Sequence, residues 1–331
     1  MAGGGTGHRG HGRKGERPAL GSREASTRSL RFRFLLDLQP STTMPYLPIR
    51  GAQLYYEDTG GPGEPIVFSH GLLWNSNLYA QQIAALKDRY RCIAYDHRGQ
   101  GRSLAPPGKG IELRTVYEDA VALIQALGLA PCHFVGLSMG GFVGLRVAAR
   151  HPELLRSLIL MDTSADAESL WNLSRYRLLT AATHWLGLRP VVDRIMSIYF
   201  GPDFLKDPSR AAEREGLRRQ LASNPRAVWR AMQGVITRRS VIDELEHIHT
   251  PTLILVGEDD VVTTPARAEQ LHARIFGSRL VRLPHVGHMS NLEQPEQVNA
   301  ALHRFLADIS ARERSPARAL RTGSLLEAWQ G

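Results

Sequence analysis

The chain has 331 residues, 43% hydrophobic and 22% charged, which suits one large α/β domain with an insertion or two modest domains. Of its formal net charge of +9, residues 1–43 carry +5 and residues 311–331 carry +2, so the body is nearly neutral and a nucleic-acid groove is not expected. No apolar run approaches the about 18 residues of a membrane span, so no membrane partner is expected either.

Residues 1–43 are rich in Gly, Arg, Ser and Thr and lack periodicity outside the brief Leu30–Leu38 segment, so a disordered N-terminal extension is expected. Met44-Pro45-Tyr46 reads as a natural start. From there, short strand-like runs alternate with helical stretches, the pattern of a parallel sheet covered by helices. Strands are expected at Ala52–Asp58, Ile66–Ser69, Cys92–Tyr95, Cys132–Val135 and Leu158–Met161, with helices at Leu78–Leu86, Leu113–Leu127 and Phe142–Arg150. Cys92 and Cys132 are the only cysteines, and both fall inside these apolar runs. They read as small core residues rather than a disulfide or metal pair, which fits a reducing, cytoplasmic setting.

The rhythm then stops. Residues 166–247 form a mainly helical insert with many aromatics, expected to be a cap over a core of residues 44–165 and 248–310. Most of these aromatics should hold the insert's own core, while Trp171, Trp185 and Tyr199 are candidates for a substrate wall, together with Trp74 and Asn75 in the core. Strands resume at Thr252–Val256 and Leu280–Leu283, each followed by a helix, Pro265–Ile275 and Gln294–Leu306. A basic tail, 311–331, closes the chain.

The chemistry is concentrated at strand ends. Gly136-Leu137-Ser138-Met139-Gly140 is a Gly-x-Ser-x-Gly run between a strand and a helix, where a sharp turn would hold Ser138 out as a nucleophile. The helix that follows would offer Met139 N–H to developing negative charge. A serine hydroxyl needs a base and a group to orient that base. Asp259 and Asp260 follow one strand, His285 and His288 follow the next, and Asp162 ends a third. His70 and His97 read as structural turn residues. The chain order Ser, Asp, His is the one that α/β hydrolases use.

Over residues 45–308 the chain resembles the α/β-hydrolase superfamily. The resemblance rests on the elbow, Ser69-His70-Gly71-Leu72, Asp96-His97-Arg98-Gly99-Gln100-Gly101-Arg102-Ser103, Gly257-Glu258-Asp259-Asp260, and Gly287-His288 followed by Asn291-Leu292-Glu293-Gln294-Pro295. It implies a mostly parallel eight-stranded sheet flanked by helices with a helical cap. It also implies Ser138 as nucleophile, Asp260 as acid, His288 as base, and Leu72 N–H beside Met139 N–H as oxyanion donors, with no cofactor and no metal. The chain is most similar in flavour to 3-oxoadipate enol-lactone hydrolases and haloperoxidase-type esterases. The expected reaction is therefore cleavage of a small to medium carboxylic ester or lactone through an acyl-enzyme, by a monomer or homo-oligomer. Thioesterase, carbon–carbon hydrolase and perhydrolase activities are alternatives at the same site, and a receptor-like ligand-binding module is an alternative of another class. A serine at the elbow argues against the dehalogenase and epoxide-hydrolase branches, which place aspartate there.

Overall fold

A computed structural model describes residues 45–108 and 110–314, together with Met1, Gly3 and Gly4. The expected N-terminal extension and most of the basic tail lie outside the described residues. Eight strands, β1 (Tyr46–Ile49), β2 (Ala52–Asp58), β3 (Glu64–Ser69), β4 (Tyr90–Tyr95), β5 (Cys132–Leu137), β6 (Leu155–Met161), β7 (Thr252–Gly257) and β8 (Arg279–Leu283), form one sheet in the order β1-β2-β4-β3-β5-β6-β7-β8. The pairs β1–β2 and β2–β4 are antiparallel and all others parallel.

A parallel sheet needs cover on both faces, and the sequence supplies it as continuous apolar runs. In β6, Leu158 and Leu160 enter one core cluster while Ile159 and Met161 enter the other. The first cluster takes Val116, Ala120 and Leu123 from α2 (Leu113–Ala126) and Leu145 from α3 (Met139–Arg150). The second takes Leu86 from α1 (Ala80–Leu86) and Val298, Leu302 and Phe305 from the last helix, Pro295–Glu313. Both cysteine thiols are buried within strands, and burial pushes each up to about 12.

Between β6 and β7 the chain forms helices α4 (Leu170–Leu186), α5 (Val192–Tyr199), α6 (Pro202–Lys206), α7 (Ala211–Ala222) and α8 (Trp229–Ile236). Ile195, Phe200 and Met232 of this insert join the same apolar cluster as β3 and β5, which fastens the insert to the sheet. Phe200 stacks on Phe204 with ring centroids 4.7 Å apart and meets Trp74 edge-on. Helix α9 (Pro265–Arg274) follows β7, and α10 (Ser290–Glu293) and α11 (Pro295–Glu313) follow β8.

Strand β1 supplies the eighth strand of the expected sheet, the one that no apolar run in the sequence located. It is four residues long, contains Pro48 and sits at the sheet edge, where a missing N–H costs no ladder bond. Helix α3 starts at Met139, directly after the turn at Ser138, ahead of the apolar run from Phe142, because Gly140 and Gly141 carry no apolar signal. Residues 311–313 of the expected tail belong to α11. The registers Ser69 to Gly136, Leu137 to Met161 and Gly257 to Leu283 bring the carboxyl ends of five strands to one edge, where an open α/β sheet gathers its site.

Candidate active site

Ser138 joins β5 to α3 with φ 52° and ψ −111°, a conformation that L-residues adopt only under constraint. The constraint is local. Its N–H donates to Met161 O (2.9 Å), and its own carbonyl accepts from Phe142 N–H (3.0 Å) and the Thr163 hydroxyl (2.8 Å). Close approach of neighbouring backbone requires glycine on either side: a Cβ at Gly140 would lie 1.8 Å from Ser69 O, and one at Gly136 would lie 2.3 Å from Gly140 O.

His288 follows β8, fully buried, with Nδ1 2.8 Å from Asp260 Oδ2. A carboxylate only accepts, so Nδ1 carries the proton and Nε2 is left as the ring's acceptor. Asp260 is held in turn: Oδ1 accepts from Val262 N–H (2.7 Å) and Thr263 N–H (3.0 Å), and Oδ2 accepts from the Thr263 hydroxyl (2.8 Å). Burial alone would pull the imidazolium down. The charge of Asp260, their hydrogen bond, and the more distant Asp162 and Glu293 outweigh it and raise His288 above its ordinary value. No hydrogen bond links Ser138 Oγ to His288 among the described residues. Catalytic hydrogen bonds often tighten only once substrate is bound.

The rival acids and base take other positions. Asp162, at the end of β6 with φ 45°, accepts from Gly257 N–H (2.9 Å) and the Ser290 hydroxyl (2.5 Å), tying β6, β7 and α10 together. Burial, then the charge of Asp260, pushes its carboxyl above the ordinary carboxylate range. Asp259 is half-buried and donates its N–H to Val286 O. His285 is exposed, 3.5 Å from Asp203. Glu293 is buried, and its carboxylate accepts from Gly287 N–H (3.1 Å) and Gly201 N–H (3.0 Å), which fixes the loop carrying His288.

The loop after β3 is shaped by two buried histidines. His70 Nε2 accepts from His97 N–H (2.9 Å), so its Nδ1 is the donor to Gly71 O (2.7 Å). Burial keeps both rings below their ordinary values and hence neutral. Asp96 accepts from Ser76 N–H (2.6 Å) and Arg102 N–H (2.7 Å), and Arg98 pairs with Asp119 on α2, so this segment holds turns. From the cap, the Tyr199 hydroxyl donates to Leu72 O (3.2 Å) and the Asn224 amide donates to Leu73 O (3.0 Å). Leu72 N–H has no hydrogen-bond partner among the described residues, and Met139 N–H, in the first turn of α3, has no intrahelical one.

Ser138, His288 and Leu72 line one cavity of about 80 Å³ beneath the cap, walled mainly by apolar groups such as Phe142, Ile195 and Met232. Tyr199 reaches it. Trp171 and Trp185 do not: both lie on the outer face of α4, 91% and 71% exposed. Trp171 and Tyr176, five residues apart, are about 140° apart around a helix, and it is Tyr176 that faces inward. Trp74 is buried against Phe200, and Asn75 caps the short helical turn after it by accepting from Asn77 N–H. Neither lines the cavity.

Sequence reasoning missed Glu168 and Arg238, an ion pair (3.2 Å) in the cavity wall with side chains 10% and 2% exposed. Arg238 also donates to Asp166 O and lies 4.2 Å over the Phe142 ring, so it joins the start of the cap to its end. Seventy residues separate the partners, and no local pattern pairs them. Among the described residues no group of three or more His, Cys, Asp or Glu is arranged to hold a metal ion, and no helix is long and apolar enough to cross a membrane.

Residues 64–295 match the family model for the alpha/beta hydrolase fold. The chain is 30% identical over 257 residues to 3-oxoadipate enol-lactonase 2 of Acinetobacter baylyi, covering 77% of this chain and 94% of that one. Among solved structures it is similar to the enol-lactonase from Burkholderia xenovorans, with a TM-score of 0.74 and 27% identity over 80% of this chain and 100% of that one. It is likewise similar to a thermophilic esterase from Thermogutta terrifontis, with a TM-score of 0.74 and 28% identity over 80% of this chain and 98% of that one. The family match over residues 64–295, the 30% identity to that relative, the sheet order and the strand-end elbow together place the chain in the α/β-hydrolase family.

Proposed function

We propose that the protein hydrolyses small carboxylic esters or lactones through an acyl-enzyme on Ser138. The observation that carries this reading is that Ser138, on its constrained turn, and His288, hydrogen-bonded to Asp260, line the same apolar cavity. Its similarity to an enol-lactonase and an esterase supports the same chemistry.

Ser138 Oγ attacks the substrate carbonyl carbon as its proton passes to His288 Nε2. The carbonyl oxygen becomes an oxyanion that accepts from Leu72 N–H and Met139 N–H. Collapse of the tetrahedral intermediate expels the alkoxy group, which takes the proton from His288. In a lactone this new hydroxyl stays attached to the acyl group. Water, losing a proton to His288, then attacks the ester carbon, and release of the acid returns the proton to Ser138. Asp260 keeps Nδ1 protonated and stabilises the imidazolium throughout.

The cavity volume favours a small acyl group. At about 80 Å³ it is roughly half the ~150 Å³ that accepts a benzene ring, so it suits acyl chains of a few carbons. A panel of p-nitrophenyl esters from acetate to octanoate, with small lactones alongside, tests both statements. The expected outcome is turnover highest at acetate to butyrate, at least about tenfold lower at octanoate, and lost in Ser138→Ala. Undiminished hydrolysis by Ser138→Ala would refute the nucleophile, and a preference for octanoate would refute the size limit.

A further inference from the structure

The mainly apolar cavity beneath the cap carries charge at a place that the proposed reaction leaves unused, the Glu168–Arg238 pair. A guanidinium is costly to bury without partners, and Arg238, its side chain 2% exposed, has them for only part of its fork. Nε donates to Asp166 O (3.0 Å), and Nη1 donates to Glu168 Oε2 (3.2 Å) and Val235 O (2.9 Å). Three of the five N–H groups are thereby taken up, and these bonds already join the two ends of the cap. Nη2 holds the other two and has no hydrogen-bond partner among the described residues, although buried donors are nearly always paired.

The plane of this fork is held in place. Its central carbon lies 4.2 Å over the Phe142 ring, itself part of the cavity wall. Tyr176 stands at the same end of the cavity, and its hydroxyl also makes no hydrogen bond among the described residues. Burial and the charge of Glu168 raise its phenol above the ordinary value while Arg175, Arg267 and Arg238 act the other way, which sets it beside the pair. A few convergent polar groups in an otherwise apolar pocket are what orients a ligand and selects among ligands.

The geometry points to Arg238 Nη2 as the donor that receives a second, uncharged oxygen of the substrate, an ether or keto oxygen near the scissile carbonyl. This rests on the proposed ester chemistry and names the substrate class within it, small alkoxy- or oxo-substituted esters and lactones. Charge balance selects the uncharged oxygen. The charges acting on the guanidinium are those of Glu168, Arg267 and Asp166, so with Arg238 itself two cations meet two acids. A substrate carboxylate would be a third acid, sharing a guanidinium that Glu168 already occupies, where burial strengthens like-charge repulsion. A plain alkyl chain would cover the two N–H groups and leave them unpaired, which costs the full desolvation of a buried donor.

Two pairs of esters of equal size test the inference by pH-stat titration with the full-length protein: methyl methoxyacetate against methyl butyrate, and 2-methoxyethyl acetate against butyl acetate. In each pair one oxygen replaces one methylene, in the acyl part or in the alcohol part. Hydroxide hydrolysis of the same pairs supplies the intrinsic ratio. Expected is a kcat/KM ratio at least about tenfold above that of hydroxide in one pair, with monomethyl succinate at or below methyl butyrate on the same scale. In the charge-balanced double variant, Arg238→Met with Glu168→Gln, the ratio should fall to that of hydroxide while circular dichroism is unchanged. Ratios equal to hydroxide's in both pairs, a preference for monomethyl succinate, or a preference that outlives the folded double variant would each overturn the inference, and the first two need only the wild-type chain. Hydrolysis that survived Ser138→Ala would overturn the proposed function and this inference with it, whereas unselective hydrolysis that is lost in Ser138→Ala would overturn the inference alone.

Discussion

If His288 is the base, as proposed, two opposing effects on its ring set the working pH. Burial favours the neutral ring, and the neighbouring carboxylates, Asp260 foremost, favour the charged one and prevail. The base must be neutral to accept the Ser138 proton, so activity is present above the folded pKa of His288 and is lost as pH falls through it. Because that pKa is raised from 6.5, the acidic half-point of kcat/KM should lie above pH 6.5. A pH profile of p-nitrophenyl acetate hydrolysis reads it directly, and a half-point below 6.5 would mean that the charge of Asp260 does not reach the base as described. Asp260 and His288 were legible because each stands at a fixed step after a glycine that ends or follows a strand. The Glu168–Arg238 pair was not, since its partners meet only when the two ends of the cap are folded together.

The elbow between β5 and α3 works as a unit rather than as a motif of five letters. Gly136 and Gly140 let the chain fold back on itself, and three hydrogen bonds hold Ser138 in a conformation that would otherwise cost about 1–3 kcal/mol. Gly140→Ala would drive a methyl group into the backbone of β3, which cannot yield as a side chain could. A fall in melting temperature on the order of 10 °C, or failure to fold, is expected by thermal denaturation. Wild-type melting would contradict the geometry. Elements of this kind are readable in sequence where both faces are buried, because β6 and β7 carry the apolar runs at 158–161 and 253–256. Strand β1 is not, having only four residues and a proline. In α4 the aromatics were visible but their faces were not: Tyr176 and Trp171 have similar chemistry, and only the helix's orientation against the sheet decides which one lines the cavity.

For the molecule as a whole, the sheet provides an edge where three separate loops bring Ser138, His288 and Leu72 to one cavity beneath the cap, the places that the proposed mechanism gives to nucleophile, base and oxyanion donor. Tyr199 and Asn224 link cap to core by gripping the carbonyls of Leu72 and Leu73, so the oxyanion loop and the cavity roof are one assembly. All of this depends on Ser138 being the residue that becomes acylated. Labelling the full-length protein with a fluorophosphonate, followed by intact mass and peptide mapping, examines that dependence most directly. The expectation is one adduct per chain, located on Ser138, formed in step with loss of esterase activity and nearly absent in His288→Ala. Inactivation with the adduct on any other residue, or full activity with Ser138 labelled, would contradict it.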